Sequence, residues 1–180
     1  AGITPKFIDM ANSAAAIGNA DARFNLVRPG IMLYGAYPAP RFREMMDLRP
    51  VMSIKTRILH LKTVSAGTPI SYGRRFVTKR ESLIATLPIG YADGLPRKLS
   101  NVGEALIRGH RARMIGTVCM DLTMCDVTDI PGVEQGDEAI ILGAQGLERI
   151  TVEEIAEKAG TISYEILCNI SSRVPRVYCG

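Results

Sequence analysis

Between residues 51 and 142 the sequence breaks into short apolar runs, and each run ends at Gly, Pro, Asn or Asp. Such runs are typical of β-strands, and the residues that separate them are typical of turns. Many short strands with no regular helix among them predict a small β-barrel or sandwich, so we expect a mainly β fold. The predicted strands span residues 51–64, 82–89, 104–107, 112–119, 122–127 and 138–142.

Only after these strands does the sequence predict a clear helix. Thr151 and Glu154 have the spacing of a capping box, and Gly160 is the stop signal at the other end. A second short helix is predicted over residues 163–170 and a closing strand over residues 174–178. These elements complete a β domain that we place at residues 45–180.

Residues 1–44 follow a different pattern. The predicted elements are a strand at residues 5–10, a helix at 11–17 and a strand at 24–28. A parallel sheet needs both faces covered, so two strands and one helix cannot close a core. We therefore expect this segment to be the end of a larger α/β domain, with a boundary after the break at Pro38-Ala39-Pro40.

The basic residues of the chain are unevenly placed. The formal net charge of the 180 residues is +4, and Lys and Arg crowd between Tyr72 and Arg113. A nucleic-acid surface is one interpretation. However, these charges stand in turns between apolar strands, with few aromatic residues to stack on bases. A field that attracts small anions, or a solvated face, is the better interpretation.

Cysteine, histidine and hydropathy patterns argue against several other classes. The four cysteines and two histidines form no Cys-x-x-Cys or His-x-x-x-His pair, so no metal site is predicted. No apolar run is long enough to span a membrane, and we see no amino terminus of the secretory type. We expect a cytoplasmic protein with reduced thiols and no nucleic-acid or membrane partner.

Three apolar runs end beside glycine at a polar or aromatic residue. They lie at residues 69–73, 87–94 and 116–121. Strand ends of this kind can deliver a side chain to a site, and Tyr72 stands between Ser71 and Gly73. A phenol serves as a general acid or base only if nearby positive charge lowers its pKa from about 10, and Arg74 and Arg75 follow at once. From chemistry alone, three hairpin corners without a catalytic role are the simpler alternative.

Several short motifs occur in a defined order along the chain. They are Ala11-Asn12-Ser13, Arg28-Pro29-Gly30-Ile31, Leu33-Tyr34-Gly35, Ser71-Tyr72-Gly73, Gly90-Tyr91-Ala92-Asp93-Gly94, Cys119-Met120-Asp121 and Arg173-Val174-Pro175-Arg176. In that order and spacing they resemble the carboxy-terminal half of the alanine racemases, enzymes that use pyridoxal 5′-phosphate to interconvert L- and D-alanine. The resemblance implies the last two strands of a (β/α)8 barrel followed by a β domain.

The resemblance implies that residues 1–44 help to hold the cofactor. Ser13, Gly30 and Ile31 match the positions that bind its phosphate, as loops after barrel strands seven and eight often do. Arg28 matches the arginine that faces the pyridine nitrogen. The simpler alternatives are a helix cap for Ser13 and an ion pair for Arg28. Asp9 stands where many members have histidine, and we expect it to affect only packing.

The β domain is implied to supply one base and the substrate contacts. Tyr72 matches the catalytic tyrosine, which in this family reaches the active site of the partner subunit in a homodimer. Met120 matches the residue whose backbone N–H meets the substrate carboxylate, with core packing as its alternative, and Tyr91 matches a tyrosine that shapes access. Ser172 replaces a tyrosine that helps to hold the phosphate in many members, so we assign it no role.

The resemblance also implies two-base proton transfer on the amino acid bound to the cofactor, with D-alanine supplied for peptidoglycan. The second base is the cofactor lysine, which no lysine of this chain matches. Residues 1–180 alone are therefore expected to be inactive. One alternative is a sister racemase for serine, lysine or several amino acids. Another is a non-catalytic β domain that binds a partner or an anion.

Overall fold

The computed structural model describes residue 2 and residues 4–179. Its residues form two compact units, the first ending at Met52 and the second beginning at Ser53. The assignment of residues 1–44 and 45–180 to two parts of a larger enzyme stays a prediction. Short 3₁₀ turns occur in both units, at Ala20–Ala22, Ile31–Tyr34, Pro40–Glu44, Tyr72–Arg74, Tyr91–Asp93 and Arg97–Leu99.

The first unit contains a parallel pair of strands joined through a helix. Strand β1 is Asp9–Asn12, helix α1 is Ser13–Gly18, and strand β2 is Leu26–Arg28. The helix starts at Ser13 because the Asn12 side chain caps it, accepting the Ala15 N–H at 3.0 Å. The predicted order of strand, helix and strand is confirmed, although β1 begins later than expected.

The second unit is mainly β, which confirms the predicted fold class. Eight of its strands form one sheet, in which β12, β11, β8, β9, β10, β7 and β4 are successive neighbours and β3 also pairs with β11. A small hairpin, β5 with β6, lies outside that sheet. The bounds are β3 Ile54–Arg57, β4 His60–Val64, β5 Pro69–Ile70, β6 Phe76–Val77, β7 Ser82–Leu87, β8 Glu104–Ile107, β9 His110–Ile115, β10 Thr123–Asp126, β11 Glu138–Gln145, β12 Glu148–Ile150, α2 Val152–Ala159 and α3 Ser163–Cys168.

The sheet curls because the segment predicted as one strand over residues 51–64 changes partners midway. Its first half, β3, pairs with β11, and its second half, β4, pairs with β7. At the change the Ile58 N–H donates to the Asp137 carbonyl at 2.9 Å, and the Leu59 N–H donates to the Thr86 carbonyl at 2.9 Å. Hydrogen-bonded neighbours therefore run from β11 through β8, β9, β10 and β7 to β4, and the same segment returns through β3 to β11.

Two further strand predictions are wrong in their bounds or existence. The strand predicted over residues 112–119 is β9, which ends at Ile115 because Gly116 turns the chain with φ of 75°. Residues 174–178 form no strand. There Pro175 has no N–H to donate, and the Arg176 guanidinium bonds to the Ser171, Val174 and Ile170 carbonyls.

Helix α2 covers one part of the sheet, and its ends are as predicted. Thr151 Oγ1 accepts the Glu154 N–H at 3.2 Å, and Gly160 ends the helix in the left-handed conformation. Its buried face includes Val152 and Ile155, while the sheet contributes fully buried residues such as Leu106. Each fully buried side chain of this size stabilises the fold by about 1.5–3 kcal/mol.

A network of five charged side chains, which we call the Arg111 cluster, ties α2 to strands β8, β9 and β12. Arg111 Nη1 lies 2.9 Å from Glu104 Oε2 and 2.7 Å from Glu154 Oε1, and Arg111 Nε lies 2.8 Å from Glu148 Oε2. Lys158 pairs with Glu104 at 2.5 Å and with Glu154 at 2.8 Å. All five side chains are partly buried, so these ion pairs are shielded from solvent more than exposed pairs are.

The pKa shifts in the Arg111 cluster follow from this pairing. Burial alone would raise the pKa of Glu104, but hydrogen bonds from Lys158 and Arg111 outweigh it and lower that pKa. The pKa of Glu154 is lowered mainly by the hydrogen bond from Arg111, against the opposite effect of burial. Burial would lower the pKa of Lys158, but its hydrogen bonds to the two carboxylates raise it.

Candidate active site

The Tyr72 corner, which we define as residues 71–74, is a strained turn between β5 and β6. Ser71, Gly73 and Arg74 have positive φ, at 64°, 73° and 51°, a region that side chains other than glycine rarely adopt. Tyr72 is 77% exposed, and its hydroxyl has no hydrogen-bond partner among the residues that the structure describes. Strain of this kind persists only where the surroundings enforce it, and it clusters at functional sites.

The loop after β9 holds the Tyr72 corner in place. Ser71 Oγ donates to the Thr117 carbonyl at 2.7 Å, and Thr117 Oγ1 donates to the Tyr72 carbonyl at 2.9 Å. Gly116 is needed beside them because a Cβ there would lie 2.7 Å from the Ile70 carbonyl oxygen. The corner is thus fixed by backbone and short side chains, which leaves the phenol free to meet another molecule.

A second loop packs against the same segment. The Tyr91 N–H donates to the Cys119 carbonyl at 3.0 Å, and the Ala92 N–H donates to the Met120 carbonyl at 3.0 Å. Only glycine fits at position 90, because a Cβ on Gly90 would lie 2.3 Å from both of these carbonyl oxygens. Three of the motifs therefore meet at one edge of the second unit.

The two predicted substrate contacts lie on this edge. Met120 is 52% exposed and Tyr91 is 44% exposed, so neither is a core residue. Within residues 2 and 4–179, the Met120 N–H finds no hydrogen-bond acceptor. A free N–H in a rigid loop suits a carboxylate, although the predicted contact with substrate itself stays a prediction.

A fourth motif joins the edge through Arg173. Its Nε lies 3.0 Å from Asp93 Oδ1, and one terminal nitrogen lies 2.7 Å from Asp121 Oδ1. The two carboxylates stand on the loops of Tyr91 and Met120, so a single guanidinium links both. The hydrogen bond with Asp121, and then the charge of Asp93, raise the pKa of Arg173.

Sequence reasoning missed the parts played by Thr117 and Arg173. The sequence does contain a signal for the pairing of Arg173. Asp93 lies in one motif and Asp121 in another, and an arginine in a third motif could pair with both. For Thr117 the sequence holds no such signal. Its partner Tyr72 lies 45 positions earlier, and a threonine at a strand end is common.

In the first unit, Ser13 gathers two backbone amides of the Gly30 loop. Its Oγ accepts the Gly30 N–H at 2.9 Å and the Met32 N–H at 3.4 Å. The helix cap is Asn12, so the capping alternative for Ser13 is wrong. A Cβ on Gly30 would meet no atom within 4 Å, and the Ile31 N–H has no acceptor in the described part of the chain. Open space beside N–H and O–H donors fits a phosphate.

Arg28 forms an ion pair with Asp9. This is the alternative that the sequence left open for Arg28, and its predicted place beside a pyridine nitrogen stays a prediction. The expectation that Asp9 affects only packing is wrong, because its carboxylate directly partners the guanidinium. A histidine at this position would not bring a permanent negative charge.

Other chemistries find less support in the structure. Burial raises the pKa of the Cys125 thiol to about 12, and the nearby charge of Asp126 adds to this, so that thiol is a poor nucleophile. Within residues 2 and 4–179, no group of three or more Cys, His, Asp or Glu is arranged to hold a metal ion. In the same range, no helix is long and apolar enough to cross a membrane.

Comparison with known protein families matches both parts of the chain. Residues 51–178 match the family described as "Alanine racemase, C-terminal domain", and residues 1–38 match "Alanine racemase, N-terminal domain". Among curated proteins, the alanine racemase of Halothermothrix orenii is 56% identical over 167 residues. That match covers 93% of this chain and 44% of that protein. The chain therefore spans a little under half the length of this relative.

Solved structures give the same match. The alanine racemase of Bacillus anthracis with bound L-Ala-P superposes with a TM-score of 0.93 at 42% identity, covering 99% of this chain and 46% of that one. The alanine racemase of Bartonella henselae with covalently bound pyridoxal phosphate superposes with a TM-score of 0.85 at 36% identity. It covers 94% of this chain and 46% of that one.

Proposed function

The chain belongs to the alanine racemase family, and we propose that it supplies the carboxy-terminal half of an enzyme that interconverts L-alanine and D-alanine. The observation that carries the proposal is the meeting of four motifs around Tyr72, Tyr91 and Met120, in a chain 56% identical to an alanine racemase. We place the whole enzyme in the cytoplasm, where its D-alanine would serve peptidoglycan synthesis.

The first unit would hold the cofactor. Pyridoxal 5′-phosphate, when bound, withdraws electrons from the α-carbon of the amino acid and makes its proton removable. The Ser13 hydroxyl and the free N–H of Ile31 would donate to the phosphate, with Gly30 leaving room for it. Arg28 would face the ring nitrogen. Since a guanidinium has no proton to give at neutral pH, that nitrogen would stay mostly unprotonated.

The second unit would move the proton and hold the substrate. The Tyr72 side chain takes the α-proton from L-alanine and, in the reverse direction, returns a proton to form L-alanine. The Met120 N–H donates to the substrate carboxylate, which orients the α-carbon toward Tyr72. Tyr91, half exposed beside them, shapes access.

The proposed reaction needs two things that residues 1–180 do not supply, a second base and the active site of a partner subunit. The opposite face of the α-carbon needs a second base, and we assign it to the lysine that family members carry earlier in the sequence. We also propose that Tyr72 reaches the site of the partner subunit in a homodimer. Because no lysine of residues 1–180 matches this second base, we predict that residues 1–180 alone do not racemise alanine.

Initial rates of the purified whole protein with pyridoxal 5′-phosphate test the proposal. L-alanine, L-serine and L-lysine would be supplied separately, and the enantiomers of each would be separated by chiral chromatography. We expect the highest kcat/KM for alanine, and no product from residues 1–180 alone. A preference for serine or lysine would show a sister racemase, and no racemisation of any substrate would contradict the proposal.

A further inference from the structure

The backbone conformation of the Tyr72 corner must be held by residues outside the corner. Two non-glycine residues, Ser71 and Arg74, have positive φ, and such residues relax to other conformations unless they are held. The Tyr72 side chain is 77% exposed, so packing within this chain does not fix it. The position of the phenol therefore depends on what restrains the backbone of residues 71–72.

That restraint is a pair of reciprocal hydrogen bonds with one residue. Ser71 Oγ donates to the carbonyl of Thr117 at 2.7 Å, while Thr117 Oγ1 donates to the carbonyl of Tyr72 at 2.9 Å. Two bonds between the same two segments fix both their separation and their relative rotation, which one bond cannot do. Thr117 is 3% exposed, so water competes little for either bond.

The same residue also leads to the substrate contact. Thr117 lies two positions before Cys119, whose thiol approaches Ser71 Oγ at 3.3 Å, and Met120 follows next. The Met120 carbonyl is in turn fixed by the Ala92 N–H. One short segment thus sets the position of the Tyr72 backbone relative to the Met120 N–H.

We propose that Thr117, acting with Ser71, is a positioning residue that sets the distance between the Tyr72 phenol and the α-carbon of the substrate. The inference rests on the proposed function, because it assumes that Tyr72 carries the proton on one face. It adds a residue to which the sequence motifs assign no role. Thr117 is 3% exposed, so in this proposal it acts through the Tyr72 backbone and not by contact with substrate or cofactor.

The test is Thr117→Val in the whole enzyme. Valine keeps the branched shape and removes the hydroxyl, so the Tyr72 carbonyl loses its donor. Displacing a reacting group by about 1 Å can cost about 10²-fold, and we expect a loss of about 10–100-fold in racemisation. Thr117→Ser keeps the hydroxyl, and we expect it to stay within about threefold of the wild type, since the hydrogen bond is retained.

Isotope exchange separates positioning from a general loss of stability. The Thr117→Val enzyme would be incubated with D-alanine in heavy water. The base on the other face should still place deuterium in recovered D-alanine, while L-alanine forms slowly. Thr117→Val should therefore raise the ratio of D-alanine exchange to L-alanine formation by about tenfold or more. Melting temperatures without cofactor would be recorded for each variant.

Thr78→Val is the matched control. Thr78 is also 3% exposed, and its hydroxyl donates to the Ser65 carbonyl at 2.8 Å, near the open end of the hairpin that carries the Tyr72 corner. We expect it to lower the melting temperature about as much as Thr117→Val but to leave the exchange ratio unchanged. An equal rise in the ratio for Thr78→Val would overturn the inference.

Tyr72→Phe distinguishes failure of this inference from failure of the proposed function. If Tyr72→Phe raises the exchange ratio and Thr117→Val does not, the positioning role of Thr117 is wrong and the role of Tyr72 stands. If Tyr72→Phe leaves racemisation intact, the proposed role of Tyr72 is wrong and the inference falls with it. A rise for both variants, with rescue by Thr117→Ser, supports the inference.

Discussion

The Tyr72 corner and the Arg111 cluster belong to the same unit, but they differ in whether their polar side chains have partners within the chain. In the Arg111 cluster each charged side chain has a partner of opposite sign at 2.5–2.9 Å. In the Tyr72 corner the phenol has no hydrogen-bond partner among the described residues. The backbone of the corner is strained and is held by two hydrogen bonds with Thr117. The charged side chains of the Arg111 cluster bond to one another, whereas the Tyr72 corner exposes one side chain that we assign to the reaction.

This difference separates residues that stabilise the fold from residues that we assign to the reaction. Pairing in the Arg111 cluster lowers the energy of the folded state, and nothing in that cluster is left to bind a ligand. The strain at Ser71 and Arg74 costs free energy of order 1–3 kcal/mol for each residue, and it brings no internal contact for the phenol. Substitutions in the two regions should therefore affect different measurements.

The largest expected effect comes from Tyr72→Phe in the whole enzyme. Loss of a positioned acid–base group should reduce racemisation about 10²–10⁴-fold. The melting temperature should not change, because the hydroxyl is exposed and makes no bond within residues 2 and 4–179. Tyr164→Phe changes a tyrosine that is 41% exposed and has no assigned role, so it is the control and should keep full activity. An equal loss of racemisation activity in both variants would contradict the role assigned to the Tyr72 corner.

Arg173→Gln tests the edge that surrounds Tyr72. Without the guanidinium, the loops of Asp93 and Asp121 lose their common partner, and the Met120 N–H becomes less well placed. We expect KM for alanine to rise about tenfold, with a smaller change in kcat. Arg80→Gln, which removes an exposed pair with Asp129, should leave KM unchanged. A larger effect on kcat than on KM would contradict this assignment.

Arg111→Gln should give the reverse result. The variant leaves three carboxylates with only Lys158 as a counter-charge. Because these groups are partly exposed, we expect a loss of about 1–2 kcal/mol in the free energy of unfolding. Denaturant titration measures that loss. Activity per folded molecule should stay within about twofold, and a catalytic defect without loss of stability would break the comparison.

The smallest expected effect is a pH dependence of stability that arises in the Arg111 cluster. Glu104 and Glu154 have pKa values below their ordinary value in the fold. Their contribution is therefore present above about pH 4.3 and is lost as the pH falls through the lower folded pKa. Glu104→Gln should flatten the fall in melting temperature below about pH 4.3, by an amount equivalent to less than about 1 kcal/mol. An unchanged acid profile would show that Glu104 does not contribute.

The sequence predicted best those elements whose signals are local. Helix α2 has a cap at Thr151 and a stop at Gly160, and both act within one turn of the helix. Strand β8 was predicted with its correct bounds because turn residues flank it. By contrast, the break at Ile58 depends on partners at Asp137 and Thr86, which no local pattern reveals.

The same limit applies to the site. Motif resemblance predicted site roles for Tyr72, Tyr91 and Met120, and the structure connects these residues through residues 116–120. It could not identify Thr117, whose bond with Tyr72 joins residues far apart in sequence. It also assigned packing alone to Asp9, although the carboxylate pairs with Arg28. Such pairings depend on which strand ends meet, and only the folded chain decides that.

The most direct test of the account follows the α-proton on one face of alanine. Whole Tyr72→Phe enzyme, matched to the wild type in cofactor content, would be incubated with D-alanine in heavy water. NMR would then measure deuterium at the α-carbon of each enantiomer. The account predicts deuterium in recovered D-alanine while L-alanine barely forms. Loss of exchange and racemisation in equal measure, or racemisation at the wild-type rate, would contradict it.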